Sequence, residues 1–156
     1  MRTDRAPLEQ LFEGAPRFVD RVLDFDPPPD SWDDLFYQAE RTALTMPEDE
    51  QIELLNAHPR IGAAPAAVSV LSHREQGYDR DSGTAELQAR LDWLNDEYER
   101  RFGFRFVVFV NGRSRQEIAD VIEAHLDEDR VIEKGCGLRD VIAIARARLA
   151  KLPSQP

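Results

Sequence analysis

Two short stretches carry side chains that could move protons. In "NAHPRIG" (56–62) a histidine, His58, stands directly before Pro59. A proline disfavours the α region for the residue preceding it, so a helix running into Asn56 and Ala57 must end there. A histidine at such an exit can serve as a cap, a buried ring or an acid–base reagent. In "SHREQ" (72–76) a helical spacing would put Ser72, Glu75 and Gln76 on one face at i, i+3 and i+4. That face presents a hydroxyl, a carboxylate and an amide together, and a histidine with a carboxylate is a set suited to general acid–base chemistry. Taken alone, each of the three is an ordinary solvated surface residue.

The other polar candidates have plainer readings. His125 follows Ile118, Val121 and Ile122 at helical spacing, as a satisfied core histidine does. Asn95 falls among Leu91, Leu94 and Tyr98, where a buried amide would clamp a neighbouring loop. The three histidines, His58, His73 and His125, show neither HExxH nor HxH spacing, and no cysteine cluster accompanies them, so no metal site is expected. Cys136 in "KGCGL" has no visible base nearby and reads as a small residue in a glycine-flanked loop.

The elements that must position these groups are mostly amphipathic helices. Leu8, Leu11, Phe12, Ala15, Val19, Val22 and Leu23 trace one apolar stripe, which Gly14 and Pro16 divide in two. "DPPPD" (26–30) forces an extended break, and Ser31 caps the next helix, whose inner face is Trp32, Leu35, Phe36, Ala39 and Ala43. A helix restarts at Pro47 and ends at His58-Pro59, and a short one is expected around 65–76. The stretch 77–83 is a loop, and 84–102 is the clearest helix. "SRQE" (114–117) is a capping box opening another, and a last helix carries Leu138, Val141, Ile142, Ala145 and Leu149. "FRFVVFVNG" (104–112) differs: it is aromatic and β-branched and ends in an Asn-Gly turn, yet no second strand-like run follows. A lone strand has no ladder partner, so this run is expected to be an extended segment threaded through helices, its backbone groups open to a ligand. A buried helical stretch is the other reading. The fold class expected is all-α, a single-domain helical bundle over 1–156 with one extended segment near 104–110.

The chain has 20 Lys and Arg against 30 Asp and Glu, a net charge of −10. A field of that sign repels nucleic acid and anionic membrane, so neither is an expected partner. It also repels a small anion, which would need a local basic site, and Arg60 and Arg74 lie near the two stretches. No apolar run approaches the ~20 residues of a membrane span. "MRTDRAPLEQ" has no apolar leader core, and a single cysteine agrees with a reducing compartment, so a cytoplasmic location is expected.

"AHPRIG", "SHREQ" and "LNDEYERRFGFRFVVFV", in that order, resemble the OHCU decarboxylases, the 2-oxo-4-hydroxy-4-carboxy-5-ureidoimidazoline decarboxylases of urate breakdown. The usual pattern there is His-Pro, Ser-x-x-Glu-Gln, Leu-Asn-x-x-Tyr and Phe-Gly-Phe-Pro-Phe. "LFEGAPRFVDRVL" is similar to the first helical segment of that family, so the likeness spans nearly the whole chain. The resemblance implies an all-helical, homodimeric, cofactor-independent enzyme that converts OHCU to (S)-allantoin and CO2. It implies that His58 and Glu75 are catalytic and that Pro59, Ser72 and Gln76 contact substrate. It further implies that Phe106, Val107, Val108, Phe109 and Val110 meet the substrate through their backbone. Departures are Arg105 in place of the usual proline, His125 where an arginine is common, shorter loops after His58 and Gln76, and "VIEKGCGL" before the last helix. Two other readings stand beside this one: a relative acting on a different ureido or imidazoline compound, and a non-catalytic helical interaction module. The acidic surface suits a module; the His, Glu and Gln set does not.

Overall fold

A computed structural model describes residues 1–62 and 85–153. Among them are seven helices and no strand: α1 (Arg5–Leu11), α2 (Pro16–Leu23), α3 (Trp32–Thr45), α4 (Glu48–Asn56), α5 (Ala85–Phe102), α6 (Arg115–His125) and α7 (Arg130–Lys151). The expected short helix around 65–76 lies outside the described residues.

Local sequence accounts for most boundaries. α1 and α2 separate at Gly14, and Pro16 opens α2, where its missing N–H costs nothing. The Ser31 hydroxyl accepts from the Asp34 N–H at 3.1 Å. The capping box of α6 is complete: the Glu117 N–H donates to the Ser114 hydroxyl at 3.1 Å, and the Ser114 N–H donates to the Glu117 carboxylate at 2.9 Å. Such caps contribute about 1 kcal/mol each.

α7 is the spine of the molecule. It packs on α1, α3 and α4, while α5 pairs with α6. Leu138, Val141, Ile142 and Ala145 supply its buried face, opposite Leu35, Phe36, Ala39 and Ala43 of α3. The loop expected around Cys136 is not there. α7 starts earlier, at Arg130, because the Asp129 carboxylate accepts from the N–H groups of Val131 (2.8 Å) and Ile132 (3.3 Å), and the helix runs straight through Gly135 and Gly137. Glycine inside a helix costs about 1 kcal/mol relative to alanine. Here its use is steric, because a Cβ on Gly137 would come within 2.9 Å of the Leu55 side chain, so the glycine lets α7 close on α4. Cys136 points outward from this helix and is exposed.

Residues 104–110 form neither helix nor strand. The chain runs extended between α5 and α6, with Phe104, Phe106, Val107, Val108 and Val110 buried. Tyr98, Phe102, Phe104 and Phe106 gather around it, with ring centroids 4.5–6.0 Å apart. The Asn-Gly turn forms as expected: Asn111 and Gly112 both have positive φ, and the Arg113 N–H closes the turn on the Val110 carbonyl at 3.1 Å. It feeds α6 instead of a second strand.

Candidate active site

α4 ends in a tightened turn. The His58 N–H bonds to the Leu55 carbonyl at 3.2 Å, a three-residue step in place of the regular four. Pro59 then has no N–H to continue the ladder. The imidazole folds back over the helix end, and its Nδ1 lies 3.4 Å from the Leu54 carbonyl oxygen. A carbonyl only accepts, so this contact selects the Nδ1–H tautomer and leaves the Nε2 lone pair as an acceptor.

His58 is 8% exposed. Burial, followed by the positive charge of Arg148, pushes its pKa from 6.5 down to about 4, against a small opposing effect of the Leu54 carbonyl. The ring is therefore neutral at physiological pH. Arg148, on α7, is 2% exposed and donates to the Leu11 carbonyl at 3.2 Å. This buried cation was not anticipated. Its signal is nonetheless present in the sequence, because Arg148 continues the stripe Val141, Ala145 at helical spacing and so had to face inward.

The depressed pKa has a consequence for stability. Above pH 6.5 the ring is neutral whether the chain is folded or not. Between 6.5 and about 4 the unfolded chain binds a proton that the folded chain refuses, so stability present above pH 6.5 is lost as pH falls. Between pH 7 and pH 5 the wild type should lose about 2 kcal/mol more than a His58→Asn variant. Urea unfolding of both proteins at the two pH values measures this, and equal losses would rule out a buried neutral His58.

The loop after His58 is held from α5. Asn95 donates to the Ile61 carbonyl at 2.9 Å, the loop clamp expected of it, and Gln88 donates to the Gly62 carbonyl at 2.8 Å. Gly62 has φ +84°, and a Cβ there would lie 3.0 Å from the Leu91 side chain, so both backbone and space call for glycine. Pro59 is half-buried beside His58. Ser72, Glu75 and Gln76, like His73 and Arg74, lie outside the described residues.

The extended segment divides into two halves. The Phe109 N–H donates to the Asp140 carboxylate at 3.1 Å, and its carbonyl accepts from Arg113 at 2.6 Å. The Val110 carbonyl also accepts from the Arg113 side chain, at 3.1 Å. Burial holds the Asp140 pKa above the ordinary carboxylate range, despite the Phe109 N–H and the nearby Arg113 and His125. The backbone groups of Phe106, Val107 and Val108, by contrast, have no hydrogen-bond partner among the described residues. Buried backbone groups are nearly always paired in native proteins, which sets these three residues apart from Phe109 and Val110.

His125 is not a core residue but half-exposed, and its ring donates to the Glu133 carboxylate at 2.9 Å. Glu133 is 1% exposed and also accepts from the Tyr98 hydroxyl at 2.8 Å. Burial and the Glu133 charge push the Tyr98 pKa well above its ordinary value. This trio ties α5, α6 and the start of α7 together beneath Phe106, whose ring lies 6.3 Å from that of His125.

The helical scaffold thus holds a buried, neutral histidine at the exit of α4 and a buried arginine on α7. Residues 2–150 match the model of the OHCU decarboxylase family, and the chain belongs to that family. It is 28% identical over 142 residues to the 2-oxo-4-hydroxy-4-carboxy-5-ureidoimidazoline decarboxylase of Haloferax volcanii, covering 91% of this chain and 84% of the relative. It is 33% identical over 108 residues to the uric acid degradation bifunctional protein PucL of Bacillus subtilis, covering 67% of this chain but only 21% of that longer protein. In fold it resembles the crystal structure of OHCU decarboxylase in the presence of (S)-allantoin, with a TM-score of 0.75, 21% identity and coverage of 96% of this chain and 99% of the other. It also resembles (S)-allantoin synthase, with a TM-score of 0.70, 18% identity and coverage of 95% of this chain and 49% of that one.

Proposed function

We propose that the chain decarboxylates OHCU to (S)-allantoin in urate degradation, with His58 handling the proton of the substrate hydroxyl. The observation that carries this reading is the neutral, buried His58 next to the Arg148 charge.

The chemistry matches those two groups. When the C–CO2 bond breaks, its electron pair can pass into the adjacent C=N bond of the ring, so the substrate itself is the electron sink. The ring nitrogen gains a proton, and the enol left behind gives up its hydroxyl proton as the ureido-bearing carbon takes one on a single face. A neutral imidazole with a bare Nε2 suits removal of the hydroxyl proton. A buried guanidinium suits a carboxylate, and it supplies the local positive charge that a chain of net charge −10 must offer an anion. The N–H and C=O groups of Phe106, Val107 and Val108, which have no partner among the described residues, suit the ring and ureido amides.

The same reading assigns Glu75 the role of a second catalytic group, hydrogen-bonded to His58 or to the ring, and makes Pro59, Ser72 and Gln76 substrate contacts. It also narrows the extended segment. With the backbone of Phe109 and the carbonyl of Val110 engaged by Asp140 and Arg113, the recognition falls to Phe106–Val108. A single domain over 1–156, a homodimer and a cytoplasmic location belong to this proposal as well; among the described residues no helix is long and apolar enough to cross a membrane.

The test follows substrate labelled with 13C at the carboxylate. The label should leave as CO2 at a rate proportional to protein concentration. Release no faster than in buffer would sink the proposal and favour a binding module.

A further inference from the structure

We infer that Arg105 is a positioning residue for His58, one that this chain has in place of the proline usual in the family pattern. The inference rests on His58 being the proton-handling group.

Arg105 makes two kinds of bond to the end of α4, and a proline could make neither. Its backbone N–H donates to the Asn56 side-chain oxygen at 3.0 Å. Its Nη1 donates to the carbonyls of Asn56 at 2.9 Å and His58 at 3.1 Å. These carbonyls belong to the helix exit, where no intrahelical donor remains. The guanidinium is held in turn by Glu99 of α5, 3.6 Å from its Nε. Glu99 also pairs with Arg60, which bonds to Asp96 at 2.8 Å. Arg60 and Arg105 therefore grip the chain on either side of Pro59, with one carboxylate between them.

The His58 carbonyl is the group that Arg105 fixes, and its direction sets how the chain turns into Pro59. Fixing it restrains the backbone from which the imidazole projects. Arg105 also immediately precedes Phe106, so the same bonds tie the start of the extended segment to the end of α4. Misplacing a reacting group by an ångström can cost up to about 100-fold in rate, so losing this clamp should affect kcat more than binding. The Arg105 side chain is 40% exposed, so its removal should disturb the fold little.

The experiment compares wild type, Arg105→Met, Arg105→Lys and His58→Asn, using freshly generated OHCU and protein labelled with 15N at histidine. Arg105→Met should lower kcat about tenfold with KM within about twofold. Arg105→Lys, which keeps a donor toward the two carbonyls, should stay within about threefold of wild type. The His58 ring signals, assigned by their loss in His58→Asn, should move in Arg105→Met toward a mixture of tautomers. Wild-type kcat in Arg105→Met, while His58→Asn is inactive, would overturn the clamp and leave the function intact. So would a loss that merely tracks the unfolded fraction, or no rescue by lysine. Full activity in His58→Asn would instead overturn the reading beneath it, and the clamp with it.

Discussion

Replacing His58 with asparagine is expected to lower the turnover of OHCU by roughly 10²- to 10⁴-fold, the usual contribution of a positioned acid–base group. Asparagine is a mild change for the fold. Its amide can still donate to the Leu54 carbonyl, the contact that Nδ1 makes now, and the site keeps a polar but uncharged side chain. It has no basic lone pair, so it cannot take the hydroxyl proton. The loss should therefore fall on kcat, with KM altered little, and far-UV circular dichroism should be unchanged. An unchanged kcat would remove His58 from the chemistry and leave its burial as a packing feature only.

Arg148→Met is expected to lower kcat/KM by roughly 30- to 5,000-fold, mainly through KM. Truncating one partner of a buried, hydrogen-bonded charge pair costs about 2–5 kcal/mol of binding, and a substrate carboxylate against a guanidinium only 2% exposed would be such a pair. Methionine keeps most of the buried stem, so the packing of α7 on α1 survives, though the Leu11 carbonyl loses its donor at a cost of about 1 kcal/mol. A second readout separates electrostatics from packing. Arg148 is one of the two influences that lower the His58 pKa, so removing it should raise that pKa above about 4, while burial, the larger influence, keeps it below 6.5. The His58 titration, followed by NMR, should shift upward along with the loss of binding. If kcat/KM and the titration both stay where they are, Arg148 is a structural residue and not a substrate contact.

Much of this arrangement was legible in the chain. His58 could be placed at a helix exit because proline after histidine is a steric instruction that acts over two residues. The extended segment could be recognised because "FRFVVFV" has strand chemistry and nothing to pair with. Asn95 was readable as a clamp because an amide on an apolar stripe must find a partner, and it found the Ile61 carbonyl. Other features were not legible, and for physical reasons. The glycines around Cys136 look like a loop until Leu55 is seen to need the space a Cβ at 137 would fill. Arg105 reaches residues 47 and 49 positions away, and no local pattern encodes such a partner. Arg148 and Glu133 sit on a buried stripe where a charged side chain is easily passed over as a solvated one, yet both are nearly inaccessible. The charges that shape the site therefore came from tertiary placement, whereas the histidine came from local stereochemistry. The catalytic roles themselves came from resemblance, since neither spacing nor periodicity names a substrate.

Conversion of OHCU into one enantiomer of allantoin is the activity proposed for this chain. Circular dichroism on freshly generated OHCU tests it most directly, with the wild type at catalytic concentration. The (S)-allantoin signal should grow at a rate proportional to protein. Decay at the buffer rate to racemic allantoin would contradict it.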